Sequence, residues 1–170
     1  MKFLVTGANG FVGRALCAEL LRQAQFVRAA LRTAKAPVDD IEVAAVGAID
    51  GETDWTDALR GVDAVIHLAA RVHVMNDVAA DPLSKFLKVN LHGTERLAQQ
   101  SARAGVKRLV YVSSIKVNGD STFSPGHSSA SGRAEQDVFT ESDKPNPHGP
   151  YAISKWQAEQ ALRRIAQETG

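Results

Sequence analysis

Short apolar runs alternate with longer segments of helical period along this chain, and that rhythm leaves few folds open. The order is FLVT, Phe11 to Gln23, VRAAL, EVAAV, AVIHLAA, a long amphipathic stretch from Leu83 to Ala104, RLVYVSS, and Tyr151 to Gln167. Strand, helix, strand repeated predicts a parallel sheet, because parallel strands need long crossovers and these lay helices on both faces. The expected fold is therefore α/β, a doubly wound parallel sheet in three layers. Asp81-Pro82 marks the start of the long helix: the carboxylate caps free amides, and proline at the first position has no N–H to leave unpaired. Gly105 marks its end. Residues from Asn118 to Pro150 break the rhythm; they are rich in Ser, Gly and Pro, show no period and exceed an ordinary connection. That segment is expected to be a substrate-side loop or disordered.

At 170 residues the chain fits one domain, 1–170. It stops at AQETG directly after a helix, where a doubly wound sheet of this order expects another strand. The expectation is a domain truncated before its last strands and its substrate-binding part. Twenty Lys+Arg against nineteen Asp+Glu leave a formal charge of +1, which gives no reason to expect nucleic acid or an anionic membrane as partner. A small-molecule partner is expected instead. One cysteine, Cys17, excludes an internal disulfide framework, the N-terminus lacks a secretory pattern, and no apolar run approaches the roughly 20 residues of a membrane helix. These features predict a cytoplasmic protein, and the reading includes no metal.

Directly behind the first apolar run, "VTGANGFVG" places Gly7, Gly10 and Gly13 three residues apart. A glycine turn between a first strand and a first helix lets backbone approach a phosphate, where the helix N-terminus offers free N–H groups. In that reading Gly7 makes the turn, Gly10 allows close approach, and Gly13 lets helix and strand pack tightly. The alternative is a turn that only connects two elements. Arg32 follows the second strand, where a carboxylate would bind the ribose hydroxyl of NAD and a basic group the 2′-phosphate of NADP. It favours NADP, with Lys35 nearby, unless it is merely a surface arginine. Tyr151 and Lys155, four apart, share a helix face, so an ammonium can favour a phenolate and make a proton-transfer group. Such pairs also occur on ordinary exposed faces. Ser113 and Ser114, at the C-terminal end of a strand, lie on the edge where open α/β sheets bind ligands.

Five motifs together, "VTGANGFVG", "VIHLAA", "KVNLHGT", "VYVSSIKVNG" and "PYAISKWQAE", resemble those of the extended short-chain dehydrogenase/reductases of the NAD-dependent epimerase/dehydratase family, in family order over nearly the whole chain. The resemblance implies a Rossmann fold. It further implies that Gly7, Gly10, Gly13 and the backbone at Phe11 and Val12 bind the pyrophosphate, that Leu68, Ala69 and Ala70 line the cofactor's path, and that Asn90 supports the site. Ser114 matches the catalytic Ser/Thr, with Ser113 its structural neighbour. Tyr151 matches the acid/base, and Lys155 the residue that holds the nicotinamide ribose. The family's Gly-Asp-Leu/Ile adenine contact is displaced, since the run here is Gly47-Ala48-Ile49 with Asp50 one residue late. Ile49 and Asp50 are the expected adenine-side residues.

The implied activity is NAD(P)-dependent epimerisation or 4-keto reduction of a nucleotide sugar, on a UDP-sugar, in making surface polysaccharide precursors, by a homodimer. Two alternatives are an NADPH-dependent reductase of non-sugar carbonyls, like the dihydroflavonol reductases, and a non-catalytic NADP-binding regulator. A third alternative, raised by the ending directly after a helix, is an inactive fragment of an active enzyme. Of the remaining residues, His67 reads as a packed core histidine, Asn90 equally as a polar group satisfying backbone, Trp55 and Trp156 as packing residues, and Cys17 as a small buried hydrophobe.

Overall fold

The computed structural model describes residues 1–34, 41–72, 81–119, 139–140 and 142–170. Among these, five parallel strands form one sheet: β1 (Lys2–Thr6), β2 (Phe26–Leu31), β3 (Glu42–Ala45), β4 (Ala64–His67) and β5 (Arg108–Tyr111), in spatial order β3-β2-β1-β4-β5. The helices are α1 (Phe11–Arg22), α2 (Thr56–Leu59), α3 (Pro82–Phe86), α4 (Gly93–Arg103) and α5 (Gly149–Thr169). The chain winds outward from β1 to β3, then crosses back to β4 and β5. Loops leaving β1 and β4 therefore diverge, which opens a crevice at the carboxyl ends of those strands. Thr6 and His67 are register partners at that point.

Alternation along β1 sends successive side chains to opposite faces. Leu4 joins Ala30, Val65, Trp55, Leu59 and Leu97 on the α2/α4 side, whereas Val5 joins Ala29, Leu31, Cys17 and Leu20 on the α1 side. Both Trp55 and Cys17 are fully buried, as packing residues should be. The three-layer doubly wound sheet is thus the one that the pattern predicts.

The stretch from Leu83 to Ala104 is not one regular helix. α3 passes into a π-helical turn, Leu87–His92, before α4 begins at Gly93. The amide of Gly93 bonds back to the carbonyl of Lys88, and the Thr94 hydroxyl takes the carbonyl of Asn90 at 2.7 Å. A Cβ on Gly93 would stand 2.6 Å from Ile49 Cγ2, so glycine lets this widened turn press on the loop after β3. The Asp81 carboxylate accepts from the Ser84 amide, the cap expected at the helix start. Of the irregular segment from Asn118 to Pro150, residues 120–138 and 141 lie outside the described residues, as does Lys35.

A buried cation ties β2 to α2. Arg28 is 7% exposed; its Nη1 donates to the carbonyls of Asp57, Ala58 and Arg60, and its Nη2 to Glu42 Oε1 at 2.7 Å. A helix this short leaves its last carbonyls to outside donors, although that of Asp57 also accepts from the Arg60 amide at 3.3 Å. Arg28→Ala takes the guanidinium away from the carbonyls of Ala58 and Arg60, so a loss of about 2 kcal/mol is expected in urea unfolding, with an unchanged m-value.

Candidate functional site

The glycine turn sits at the crevice. Gly7 has a φ of +68°, and a Cβ there would lie 2.8 Å from the Ala69 amide nitrogen. A Cβ on Gly13 would be 2.1 Å from the carbonyl oxygen of Gly7 and 2.7 Å from Ala8 Cα, so α1 rests on the turn with no room for a side chain. Gly10 differs. It occupies the N-cap of α1, and only the Gly7 carbonyl oxygen, at 3.2 Å, would meet a Cβ there. The helix starts with no acidic side chain in its first turn and with Phe11 96% and Val12 58% exposed. First-turn amides have no partner within a helix, and the helix end carries partial positive charge. The cradle fits a pyrophosphate: open backbone at Gly10, amides at Phe11, Val12 and Gly13 in the first turn, and no acidic side chain in that turn.

The facing wall is the loop leaving β4. The amides of Leu68 and Ala69 donate to Thr6 Oγ1 at 3.2 and 3.1 Å, which holds that loop against the Gly7 turn. Further along, Asn90, 1% exposed on the π-helical turn, accepts from the Arg71 amide at 2.7 Å and donates to the Arg71 carbonyl at 3.0 Å. Ala70 is thereby bracketed by two anchored stretches. Asn90 also donates to Ser154 Oγ at 2.9 Å, reaching α5. Arg32, one residue beyond β2, is exposed. Ile49 packs on the apolar cluster of Leu4 and Trp55, while Asp50 ion-pairs with Lys88 at 3.3 Å and accepts from the Glu52 amide. These contacts hold the Asp50 carboxyl below its usual range, the Glu52 amide acting most strongly.

Ser114, Tyr151 and Lys155 come from two elements that pack together, the 3₁₀ turn Ile115–Val117 after β5 and α5. Ser114 is half-buried and caps the 3₁₀ turn, its Oγ accepting from the Lys116 amide at 3.3 Å. Tyr151 is half-buried in the first turns of α5, edge-on to Phe86 with ring centroids 6.2 Å apart. Lys155 is 3% exposed; its Nζ donates to the Val112 carbonyl at 2.6 Å and lies 4.0 Å from the centroid of the Tyr111 ring. Burial lowers the Lys155 pKa to about 8, with the Glu159 carboxylate opposing the shift. Ser113 Oγ donates to Glu159 Oε1, so one carboxylate serves both the strand end and the lysine.

The sign of that shift makes a prediction. Burial favours the neutral amine, so any step needing the Lys155 ammonium declines as pH rises through about 8. Glu159→Gln removes the charge that opposes burial and moves this limb to lower pH. The pH dependence of kcat/KM in both proteins checks it.

His67 is fully packed, as the sequence reading expects. Its Nδ1 lies 2.6 Å from Thr6 Oγ1 and its Nε2 2.9 Å from Thr94 Oγ1, and burial pushes its pKa down to about 3. Asn90 serves backbone and side chain at once. Trp156 is half-buried, with the Arg163 guanidinium 5.8 Å from its ring centroid. Sequence reasoning missed Thr6, Thr94, Tyr111, Ser154 and Glu159. Glu159 continues the helical stripe of Tyr151 and Lys155 at the same spacing of four, a signal that was open to reading. Nothing local marks the other four.

Over residues 3–170 the chain matches the NAD dependent epimerase/dehydratase family. It is 38% identical over 167 residues to a UDP-glucose 4-epimerase of Vibrio cholerae, which covers 98% of this chain and 47% of that protein. Among solved structures it resembles a short-chain dehydrogenase/reductase superfamily protein of Agrobacterium tumefaciens with bound NAD, at a TM-score of 0.78 and 30% identity, covering 99% of this chain and 46% of that one. A dTDP-glucose 4,6-dehydratase of Streptomyces venezuelae with NAD bound gives a TM-score of 0.75 and 32% identity, with 98% and 52% covered. The chain spans about half the length of the relatives it matches.

Proposed function

The chain belongs to the NAD-dependent epimerase/dehydratase family, and from that premise we propose that it forms the dinucleotide-binding and proton-transfer part of a nucleotide-sugar epimerase or 4-keto-sugar reductase acting on a UDP-sugar. The observation that carries the reading is the docking of α5 on the end of β5, where Lys155 Nζ donates to the Val112 carbonyl at 2.6 Å, at the same carboxyl edge of the parallel sheet that bears the glycine turn after β1. A nicotinamide dinucleotide bound at the turn supplies hydride transfer at a sugar carbon. The chain's own residues do the rest. Gly10 and the amides of Phe11, Val12 and Gly13 hold the pyrophosphate, Leu68, Ala69 and Ala70 line its path, and Ile49 and Asp50 lie toward the adenine. The Tyr151 phenol gives or takes the proton of the reacting hydroxyl, Ser114 Oγ hydrogen-bonds the same oxygen, and the Lys155 ammonium favours the phenolate.

Arg32 supports NADP, because its exposed guanidinium at the end of β2 suits a 2′-phosphate. The test is a fluorescence titration with NADH and NADPH, followed by incubation with UDP-hexoses and detection of the C4 epimer or reduced sugar. Tighter NADPH binding, weakened about tenfold in Arg32→Ser with NADH unaffected, is expected for a bidentate phosphate contact. Turnover of aromatic ketones in place of UDP-sugars replaces this reading with a carbonyl reductase. If neither dinucleotide binds, the reading is removed.

A further inference from the structure

We propose that His67 is a positioning residue, locking the glycine turn to the helix of Tyr151 through a chain of buried hydrogen bonds with a single proton order. The inference rests on the function proposed above only in what the locked parts do.

The order follows from counting protons. Thr6 Oγ1 accepts from the amides of Leu68 and Ala69, so its lone pairs are engaged and its one proton goes to His67 Nδ1, 2.6 Å away. At the other end, the Thr94 hydroxyl donates to the Asn90 carbonyl at 2.7 Å. Its oxygen must therefore accept at 2.9 Å from His67 Nε2, which carries the hydrogen. His67 is thus the neutral Nε2–H tautomer. A protonated ring would present a second donor to Thr6, which has no free lone pair to receive it, and would add a cation near Lys155. From Asn90 the path continues through Nδ2 to Ser154 Oγ at 2.9 Å, and from Ser154 to the Tyr151 carbonyl at 2.7 Å.

Thr6, His67, Thr94, Asn90 and Ser154 are each at most 1% exposed, so the links are closed off from bulk solvent. The path joins β1, β4, the π-helical turn and α5, the elements that carry the phosphate cradle, the wall of the crevice and the acid/base. The groups facing the imidazole also favour its neutral form: the Tyr111 ring lies 5.8 Å away, with the Lys155 ammonium on that same ring. A glutamine can replace both bonds, because its amide oxygen accepts from Thr6 and its NH₂ donates to Thr94. Leucine replaces neither.

Two measurements on the full chain test the proposal. Nitrogen-15 NMR of labelled histidine is expected to show His67 as the Nε2–H tautomer, unchanged between pH 8 and 5. A proton on Nδ1, or titration in that range, overturns the proposal, and this readout stands whether or not the protein turns over a nucleotide sugar. NADH affinity and turnover per folded molecule are then compared in His67→Leu and His67→Gln, well below each variant's Tm. The expected result is at least a tenfold loss of turnover or NADH affinity in the leucine variant and recovery to within threefold of wild type in the glutamine variant. If the leucine variant loses only thermal stability, or glutamine rescues nothing, His67 is a filler of the core and not a positioning residue.

Discussion

Tyr151→Phe loses turnover by about 10²- to 10⁴-fold, the usual worth of a positioned proton donor, and keeps dinucleotide affinity within a few-fold. The substitution removes one oxygen from a half-buried ring whose packing against Phe86 is unaffected. The proposed phosphate cradle is built from the Gly7–Gly10 turn and the start of α1, and does not use the phenol. Steady-state kinetics with a UDP-sugar, beside an NADH titration, reads both quantities. A variant that keeps full turnover excludes Tyr151 as acid/base. A parent with no turnover leaves the two non-turnover readings, an inactive fragment of an enzyme and a dinucleotide-binding regulator.

Gly13→Ala has an expected effect of comparable size on a different quantity. Its methyl would stand 2.1 Å from the Gly7 carbonyl oxygen, a backbone atom that cannot swing aside. α1 must shift off the turn, at a cost of about 1 to 3 kcal/mol for overpacking, and the amides aimed at the pyrophosphate move with it. Dinucleotide affinity is expected to fall at least tenfold. Gly10→Ala is the matched control: its methyl meets only one atom, at 3.2 Å, so the fold tolerates it while the approach of a phosphate is obstructed. Chemical denaturation therefore separates the two variants, although NADH titration shows weakened binding in both. Equal stability of the two sinks the packing role given to Gly13.

What the sequence by itself determined is what depends on neighbours along the chain. The period of the apolar residues placed the strands from Lys2–Thr6 to Arg108–Tyr111 and the helices between them, because alternation and helical spacing are properties of consecutive residues. Asp81-Pro82 marked a helix start for the same reason, its cap acting three residues away. The candidate cradle was legible because a turn with positive φ, followed by tight packing, demands glycine at set positions. Lys155 and Tyr151 were legible because a helix puts residues four apart on one face.

Only the tertiary structure decided how these pieces are joined. Thr6 and His67 are 61 residues apart, His67 and Thr94 27, Asn90 and Ser154 64, and Ser113 and Glu159 46, so no window along the chain contains both members of any pair. The π-helical turn is invisible to periodicity because its apolar pattern still reads as helix, while the extra residue per turn answers to contacts of Asn90 and Gly93 with distant loops. Arg28 likewise looks like an ordinary polar interruption of a strand until α2 brings its carbonyls to the guanidinium. Local pattern sets which elements form. Buried polar groups, which must find partners wherever the fold brings them, set how the elements are locked together.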